Sequence, residues 1–511
     1  MRRFLFLFLL FSSTAFSQEP ADAIRYSMIE HGGTARSKAI GGAVTALGGD
    51  LSAAYINPAG LGLYRTSELI FNPSFNFNFN KIDYLNSSNK EKKSSSDFNN
   101  FGAVLPKGGS YNGKWSNFTF AIGMVSPVNF GNKIYLNGTN NQSSFSEKYL
   151  EELVKNKVTD PNKAATNFPY GASLAFNTYL IDTLLNPNNT IKGYRSLVPI
   201  ATGITQENTV TTNGGIRDFF LSGSANYSDK FYFGGTILFS KLSYERNSVF
   251  KETDLTKKIN NFSSFEAEEY LYTSGVGVGI QLGIIARPIK EYRIGLSYHS
   301  PVMYNMIDQY SSKVTTNLEG YMGNGVLKQS SLDLNNGSMG EYQYTFSRPS
   351  KVLLGMCYTF GADEDVKKQK GFVSADIEYS NYKNARFTTT TNPAYSTGGD
   401  YLDEVNTTTQ NLYKSGLNAR IGGELKFNTL MARAGFNYMT NTFSSTDITN
   451  KRMNISTGIG YRNKGYFVDL AYIYQIWNNA YFPYRLDQAY FAPAYLKSGN
   501  SNIIISVGFK F

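Results

Sequence analysis

The chain has one cysteine, Cys357, in 511 residues. One cysteine forms no internal disulfide, so stability must come from elsewhere. There are two histidines, His31 and His299, too few for a His-rich metal centre, and neither metal nor cofactor is expected. After the first residues no segment has the ~20 continuous apolar residues of a membrane-spanning helix. Charge is modest: 17% of residues are charged, with a net +10. Removing Arg2 and Arg3 with a leader brings this to about +8, taking one charge from each. The surplus is scattered through turns, with no basic stripe, so nucleic-acid binding is not expected. Anionic lipid is the expected partner for it. No nucleophile elbow, phosphate loop or dinucleotide fingerprint lies between a strand and a helix. An outer-membrane phospholipase would need Ser and His on the lipid-facing wall, and His299 falls on the inner parity. An enzyme is not expected.

What is abundant is aromatic: 37 Tyr and 37 Phe against 2 Trp. Met1 to Ser17 has the form of a secretory signal peptide. Arg2 and Arg3 are its charged start, Phe4 to Phe11 its apolar stretch, and Ala15 and Ser17 the small residues before cleavage at Gln18. No cysteine follows that point, so no lipid anchor is expected. A secreted chain without apolar helices can be integral to a membrane only as a closed barrel, which satisfies every backbone group in lipid. The slightly polar overall hydropathy fits a barrel with a wet interior.

From Glu68 onward, alternating segments are separated by turn signals. Phe71, Phe75, Phe77 and Phe79 share one parity, while Asn76, Asn78 and Asn80 hold the other. This is the aromatic-out, amide-in pattern of a barrel wall. A second strand is expected near Asp97 to Leu105. A third runs from Trp115 to Phe130, with Phe118, Phe120, Ile122 and Met124 outward. Tight turns are expected at Ser228 to Lys230, Asn428-Thr429 and Arg462 to Gly465. The count is about fourteen, an even number as bacterial barrels require. Ile503, Ile505, Val507, Phe509 and Phe511 alternate to a terminal Phe, resembling the signal read by barrel-assembly machinery.

Between leader and first strand lies a Gly- and Ala-rich stretch, Gly32 to Leu63. Small residues allow close backbone approach, and Pro58 keeps Asn57 out of helix. Such a stretch suits a compact plug in a confined space. It contains Gly32-Gly33-Thr34-Ala35-Arg36, Gly41-Gly42-Ala43, Asp50 and Asn57-Pro58-Ala59-Gly60. In this order and place it resembles the N-terminal hatch of the FadL/TodX family of outer-membrane transport proteins. The resemblance implies a fourteen-stranded barrel with a hatch in its lumen. It makes Arg36, Asp50, Asn57, Pro58, Ala59 and Gly60 hatch residues, and it implies uptake of small hydrophobic molecules.

Three further features bear on function. Gly123 and Pro127 weaken or break a ladder. They mark either an inward kink that opens a lateral gap, as the resemblance implies, or simply the outer end of the third strand. Disturbed pairing is expected with the second or fourth strand. The long insertion at about 131–215 contains a Ser144–Glu147 capping box. It also has an apolar stripe over Tyr170 to Leu185 that predicts a helix. Phe176, Tyr179 and Leu180 are candidates for an extracellular docking helix; the same stripe fits a lid on the rim. Finally, Arg293, Arg420 and Arg433 are inward on parity, with Asp376, Glu378, Glu424, Asp469 and His299. They either anchor one another and Arg36, Lys38 and Asp50, or one of them meets a substrate carboxylate.

The expectation is an all-β protein: a transmembrane antiparallel β-barrel of about fourteen strands. Residues 1–17 are leader, 18–66 hatch and 67–511 barrel. It would be a monomer in the outer membrane of a Gram-negative bacterium, taking up long-chain fatty acids or aromatic hydrocarbons passively. Two alternatives stand beside this: a haem receptor, with His31 and Tyr26 as candidates, and a non-transporting barrel partner of a secretion system.

Overall fold

The computed structural model describes residues 19–30, 32–108, 114–256, 258–361, 369–390, 398–445, 449–487 and 489–511. The expected leader and His31 lie outside these. Fourteen antiparallel strands form the wall. They are β1 (Glu68–Tyr84), β2 (Ser87–Gly108), β3 (Trp115–Asn129, continued by Asn132–Asn140) and β4 (Ile204–Tyr227). Next come β5 (Phe231–Asp254), β6 (Ser264–Ala286) and β7 (Tyr292–His299, continued by Val302–Asn317). Then follow β8 (Gly340–Arg348, continued by Lys351–Phe360), β9 (Gly371–Asn381, with Arg386–Thr389) and β10 (Ser415–Phe427). The last are β11 (Leu430–Met439), β12 (Arg452–Asn463), β13 (Tyr466–Tyr481) and β14 (Ala494–Lys510). Each pairs with its sequence neighbour. β1 also pairs with β14, from Glu68 opposite Lys510 to Asp83 opposite Tyr495, which closes the barrel.

The expected tight turns are explained by backbone handedness. Ser228, Asp229, Asn428, Lys464 and Gly465 all have positive φ, matching the twist that two-residue hairpins need. The outer face is apolar: Phe120, Ile122, Val276 and Ile459 are each more than half exposed. On the inner face Asn72, Asn76 and Asn80 are buried. Met124 departs from its expected outward exposure, being buried. It is the next-to-last residue before the β3–β4 register slips, where simple alternation stops describing the wall.

Two strands run longer than the apolar pattern indicates. β2 begins at Ser87, where Ser88 to Lys93 pair with Asp83 to Asn78. β4 begins at Ile204, inside the expected insertion, and pairs there with β5 and with Asn132–Asn140. These stretches are mostly polar, with only Ile204 and Val210 apolar and buried in 204–215, too few to read as an alternation.

The N-terminal segment folds into short pieces: α1 (Pro20–Ser27), α2 (Ala35–Ala39), α3 (Ala53–Ile56) and a 3-10 turn at Pro58–Leu63. Over the rim sit α4 (Glu147–Lys155), α5 (Pro161–Thr166) and α6 (Ala172–Asn177), sharing an apolar cluster with Phe250, Phe265 and Tyr484. The capping box is half made: Ser144 N–H donates to Glu147 at 2.9 Å, but the Ser144 hydroxyl donates to Glu252 instead. The long second helix is not formed. Tyr179 takes a positive φ, and Ile181–Leu185 becomes a strand paired with Ile191–Ser196. β-Branched Ile181 and Thr183 favour that outcome. Of the docking candidates, Phe176 is on α6, Tyr179 is in the turn, and Leu180 is fully buried in the rim cluster.

Candidate functional site

The N-terminal segment occupies the lumen because the wall clears backbone for it. Inward glycines form the seat. A Cβ on Gly435 would lie 2.1 Å from Gly41 N, and one on Gly422 2.2 Å from Ile40 O. Opposite, a Cβ on Gly234 would lie 2.3 Å from the Pro58 carbonyl carbon, and one on Gly283 1.9 Å from Asn57 Oδ1. Real Cβ atoms do not approach so closely, so the Asn57-Pro58 turn and the Ile40-Gly41 turn are docked onto bare strand backbone on different sides of the barrel.

Hydrogen bonds fix this seat. Asn57 Nδ2 donates to Thr45 O at 2.7 Å and to Ile284 O at 3.3 Å, while its Oδ1 accepts from Ala59 N at 3.2 Å. Gly49 N donates to Gly60 O at 3.0 Å. Asp50 accepts from Thr34 Oγ1 and from Ser52 N at 2.9 Å. Thr45 donates through N and Oγ1 to Asp376 at 2.9 and 2.7 Å. Tyr55 donates to Asp218 at 2.8 Å, and His299 Nε2 lies 2.9 Å from Ile56 O.

The inward charges are engaged in the same way. Glu424 accepts from Arg36 of the N-terminal segment at 3.1 Å and from Arg433 at 2.6 Å. Arg433 also meets Asp469 at 2.6 Å. Arg420 pairs with Glu378 at 2.5 Å, and Arg293 donates to Leu47 O at 2.9 Å. Burial opposes the Arg36 charge, but Glu424, Asp50 and Asp469 more than restore it and raise its pKa. Burial lowers that of Lys38, which Glu30 at 3.8 Å offsets only in part. Burial pushes Glu30 up, and Lys38 and Arg452 overcome it to hold the carboxyl below its usual range. Arg293, Arg420 and Arg433 thus each meet a wall carboxylate or N-terminal backbone.

The wall is interrupted beside this segment. The β2–β3 ladder ends with Asn100 opposite Val125, although β2 runs on to Ser87. β3–β4 pairing slips between Val125 and Val128, spanning Ser126 and Pro127. Beyond it, Asn132–Asn140 stays on β4 but meets β1 and β2 through inward side chains. Asn80 Nδ2 donates to Lys133 O at 2.7 Å, and Asn89 Nδ2 to Asn137 Oδ1 at 2.9 Å. β3 therefore leaves the wall plane toward the lumen. Gly123 is still paired, opposite Gly102 and Phe220, and Pro127 lies within the slip. Gly32 sits against the break, where a Cβ would lie 2.2 Å from Val125 Cγ2. Asn99 donates to Gly33 O beside it.

No protein-family model matches the sequence, and no curated protein matches it. Solved structures do. A Pseudomonas aeruginosa FadL homologue aligns at TM-score 0.57 and 12% identity, covering 95% of this chain and 100% of that one. The P. putida toluene transporter TodX aligns at TM-score 0.50 and 13% identity, covering 94% and 99%. The fold is that of the FadL and TodX channels.

Within this FadL/TodX-type barrel, two cavities flank Ile29 between segment and wall. One, a small cleft with room for about one water, is lined by Tyr55, Gln281, His299, Arg348 and Lys351 among others. The other, equally small, is lined by Met28, Glu30, Asn418 and Arg452 among others. Sequence reasoning missed Arg348, Lys351 and Gln281. Their only signal was inward parity near Pro301 and Pro349. Tyr26, a haem candidate, packs edge-on against Phe130, Tyr244 and Phe346 at 6.1, 6.1 and 5.8 Å.

Proposed function

We propose that this chain is an outer-membrane channel for passive uptake of small hydrophobic molecules, with residues 18–66 acting as a hatch. The observation that carries this is the end of the β2–β3 ladder at Asn100 and Val125 while both strands continue. The missing ladder is where the lumen would open to the lipid face, once Gly32-Gly33, which pack against it, move aside. An apolar solute could then leave sideways without crossing the polar periplasmic end. The apolar outer belt supports a membrane setting. The FadL homologue and the toluene transporter TodX share the fold, which supports the solute class. The alternating end at Val507, Phe509 and Phe511 supports delivery by barrel-assembly machinery, and the closed wall needs no second copy.

The test is long-chain fatty-acid and toluene binding to the detergent-solubilised barrel, native against an Asn57→Ala, Pro58→Ala variant. The variant removes three hatch hydrogen bonds, worth about 1 kcal/mol each. Binding to the native form, altered at least severalfold in the variant, is expected. Absence of binding to either folded protein would favour a haem receptor or a secretion partner.

A further inference from the structure

The outer face of the wall changes chemistry at one height on β1. Leu69, Phe71, Phe75 and Phe77 are exposed, and Phe79 continues their row. Leu69 to Phe79 measures about 34 Å along a strand. At the usual tilt this is about 25 Å upright, the height of a lipid-facing band. The next outward residue is Lys81. It stands directly opposite Lys90 of β2 and Lys497 of β14, so three lysines form a row across three strands. Lys92 flanks the row on the side of the band, opposite Phe79. All four lysines are exposed. They lie toward the β1–β2 hairpin, at the end of the barrel away from Glu68 and Phe511.

Directly opposite side chains start about 5 Å apart, and like charges placed so repel. The wall supplies little to offset this. Asp83 is the one carboxylate at an outward position on β1, β2 and β14. It meets Lys81 at 3.6 Å and accepts from Ser88 Oγ at 2.6 Å. Among the described residues Lys90, Lys92 and Lys497 have no ion pair within the 4.0 Å limit. Inward-facing Lys93, by contrast, donates to Thr212 O at 2.7 Å and to Asn213 Oδ1 at 2.5 Å. The surface beside the row is shaped as well. Gly499 of β14 leaves space for the Phe79 ring, since a Cβ there would lie 2.1 Å from Phe79 Cζ. The ring therefore lies across β14 and stacks on Tyr474 of β13, at 6.0 Å and 21° between planes. Phe77, Tyr472 and Ile476 are exposed around it. The row thus stands at the edge of a flat apolar floor.

We propose that Lys81, Lys90 and Lys497 bind the phosphate of a phosphorylated glycolipid in the outer leaflet. The phosphate oxygens accept from neighbouring ammonium groups of the row and relieve their repulsion. The acyl chains run down the band over Phe79, Phe77 and Ile476. A lipid fits better than a free anion because one molecule then meets both the charged row and the apolar floor. The proposal uses the membrane setting argued above and takes nothing from solute uptake, so each can fail without the other.

The experiment titrates lipid A and its dephosphorylated form, in mixed micelles, against the full-length barrel. Bound lipid is counted by native mass spectrometry, and folding is checked by heat-dependent gel migration. Native protein should prefer lipid A by about tenfold or more, the scale of several lysines at a charged lipid surface. A variant carrying Lys81→Gln, Lys90→Gln and Lys497→Gln should lose most of that preference. A control carrying Lys107→Gln, Lys230→Gln and Lys464→Gln has the same net charge as that variant, with its changes away from the row, and should keep it. Lipid A should also raise the temperature of the gel transition in native and control proteins and not in the row variant. Two checks need no variant: native protein with no preference for lipid A overturns the site, and so does displacement of lipid A by millimolar inorganic phosphate. Equal loss in the two variants, or a preference kept by the folded row variant, also overturns it.

Discussion

Glu424→Gln should sharply lower the temperature at which the folded barrel converts to its unfolded gel mobility. Glu424 is buried between Arg36 of the N-terminal segment and Arg433 of β11, at 3.1 and 2.6 Å. Neutralising it leaves Arg36 without its ion pair and Arg433 with Asp469 alone. Removing one partner of a buried pair typically costs about 3–5 kcal/mol, because the remaining charge stays buried. The same change at Glu404 should do nothing measurable. Its pair with Lys155 is 3.9 Å long and about two-thirds exposed on both sides, and such pairs contribute little. Adding Arg36→Gln to Glu424→Gln should recover part of the loss, since the stranded charge is then gone. A loss in Glu424→Gln no larger than that in Glu404→Gln would show that the lumen charges do not anchor the segment.

Gly435→Val should leave the barrel folded and its N-terminal segment displaced. The new side chain would start 2.1 Å from Gly41 N and 2.2 Å from the Ile40 carbonyl carbon. Both are backbone atoms, which cannot rotate away, so the segment must move. β11 itself loses no ladder bond, because Gly435 keeps its pairing with Gly422 and Ser456. Single-channel conductance in planar bilayers should rise well above the native level, and protease should cut between residues 20 and 63. Gly223→Ala is the control: on β4, its Cβ would have 4.0 Å of clearance to Phe120. Native conductance in a folded Gly435→Val barrel would mean that the seat tolerates a side chain.

Much of the wall was legible because it obeys a period of two. Phe71, Phe75 and Phe77 are exposed and Asn76 and Asn80 buried, as alternation requires. The hairpin turns were legible because positive φ selects Asn, Asp and Gly. The rim was less so. The stripe from Ala172 to Leu184 has helical spacing, yet Tyr179 turns left-handed and the chain continues as a strand. Tertiary pairing with Ile191–Ser196 outweighed local periodicity there. Inward direction of Arg420 and Arg433 followed from parity, but their partners did not, since Glu378 and Asp469 lie 42 and 36 residues away. The glycine seat was the least visible. Gly234, Gly283, Gly422 and Gly435 stand where a weaker strand residue costs stability. Only the docked backbone of residues 40–59 explains them.

Uptake through this barrel is best tested in whole cells. A diderm strain lacking its own hydrophobic-compound channels would express this chain, and uptake of labelled oleate and toluene would be followed without added energy source. Uptake well above that of the empty strain is expected. A cysteine cross-link sealing β2 to β3 beside Asn99 and Ser126 should abolish that uptake while the barrel stays folded. Uptake equal to the empty strain, with folded barrel in the outer membrane, would contradict the proposed channel function.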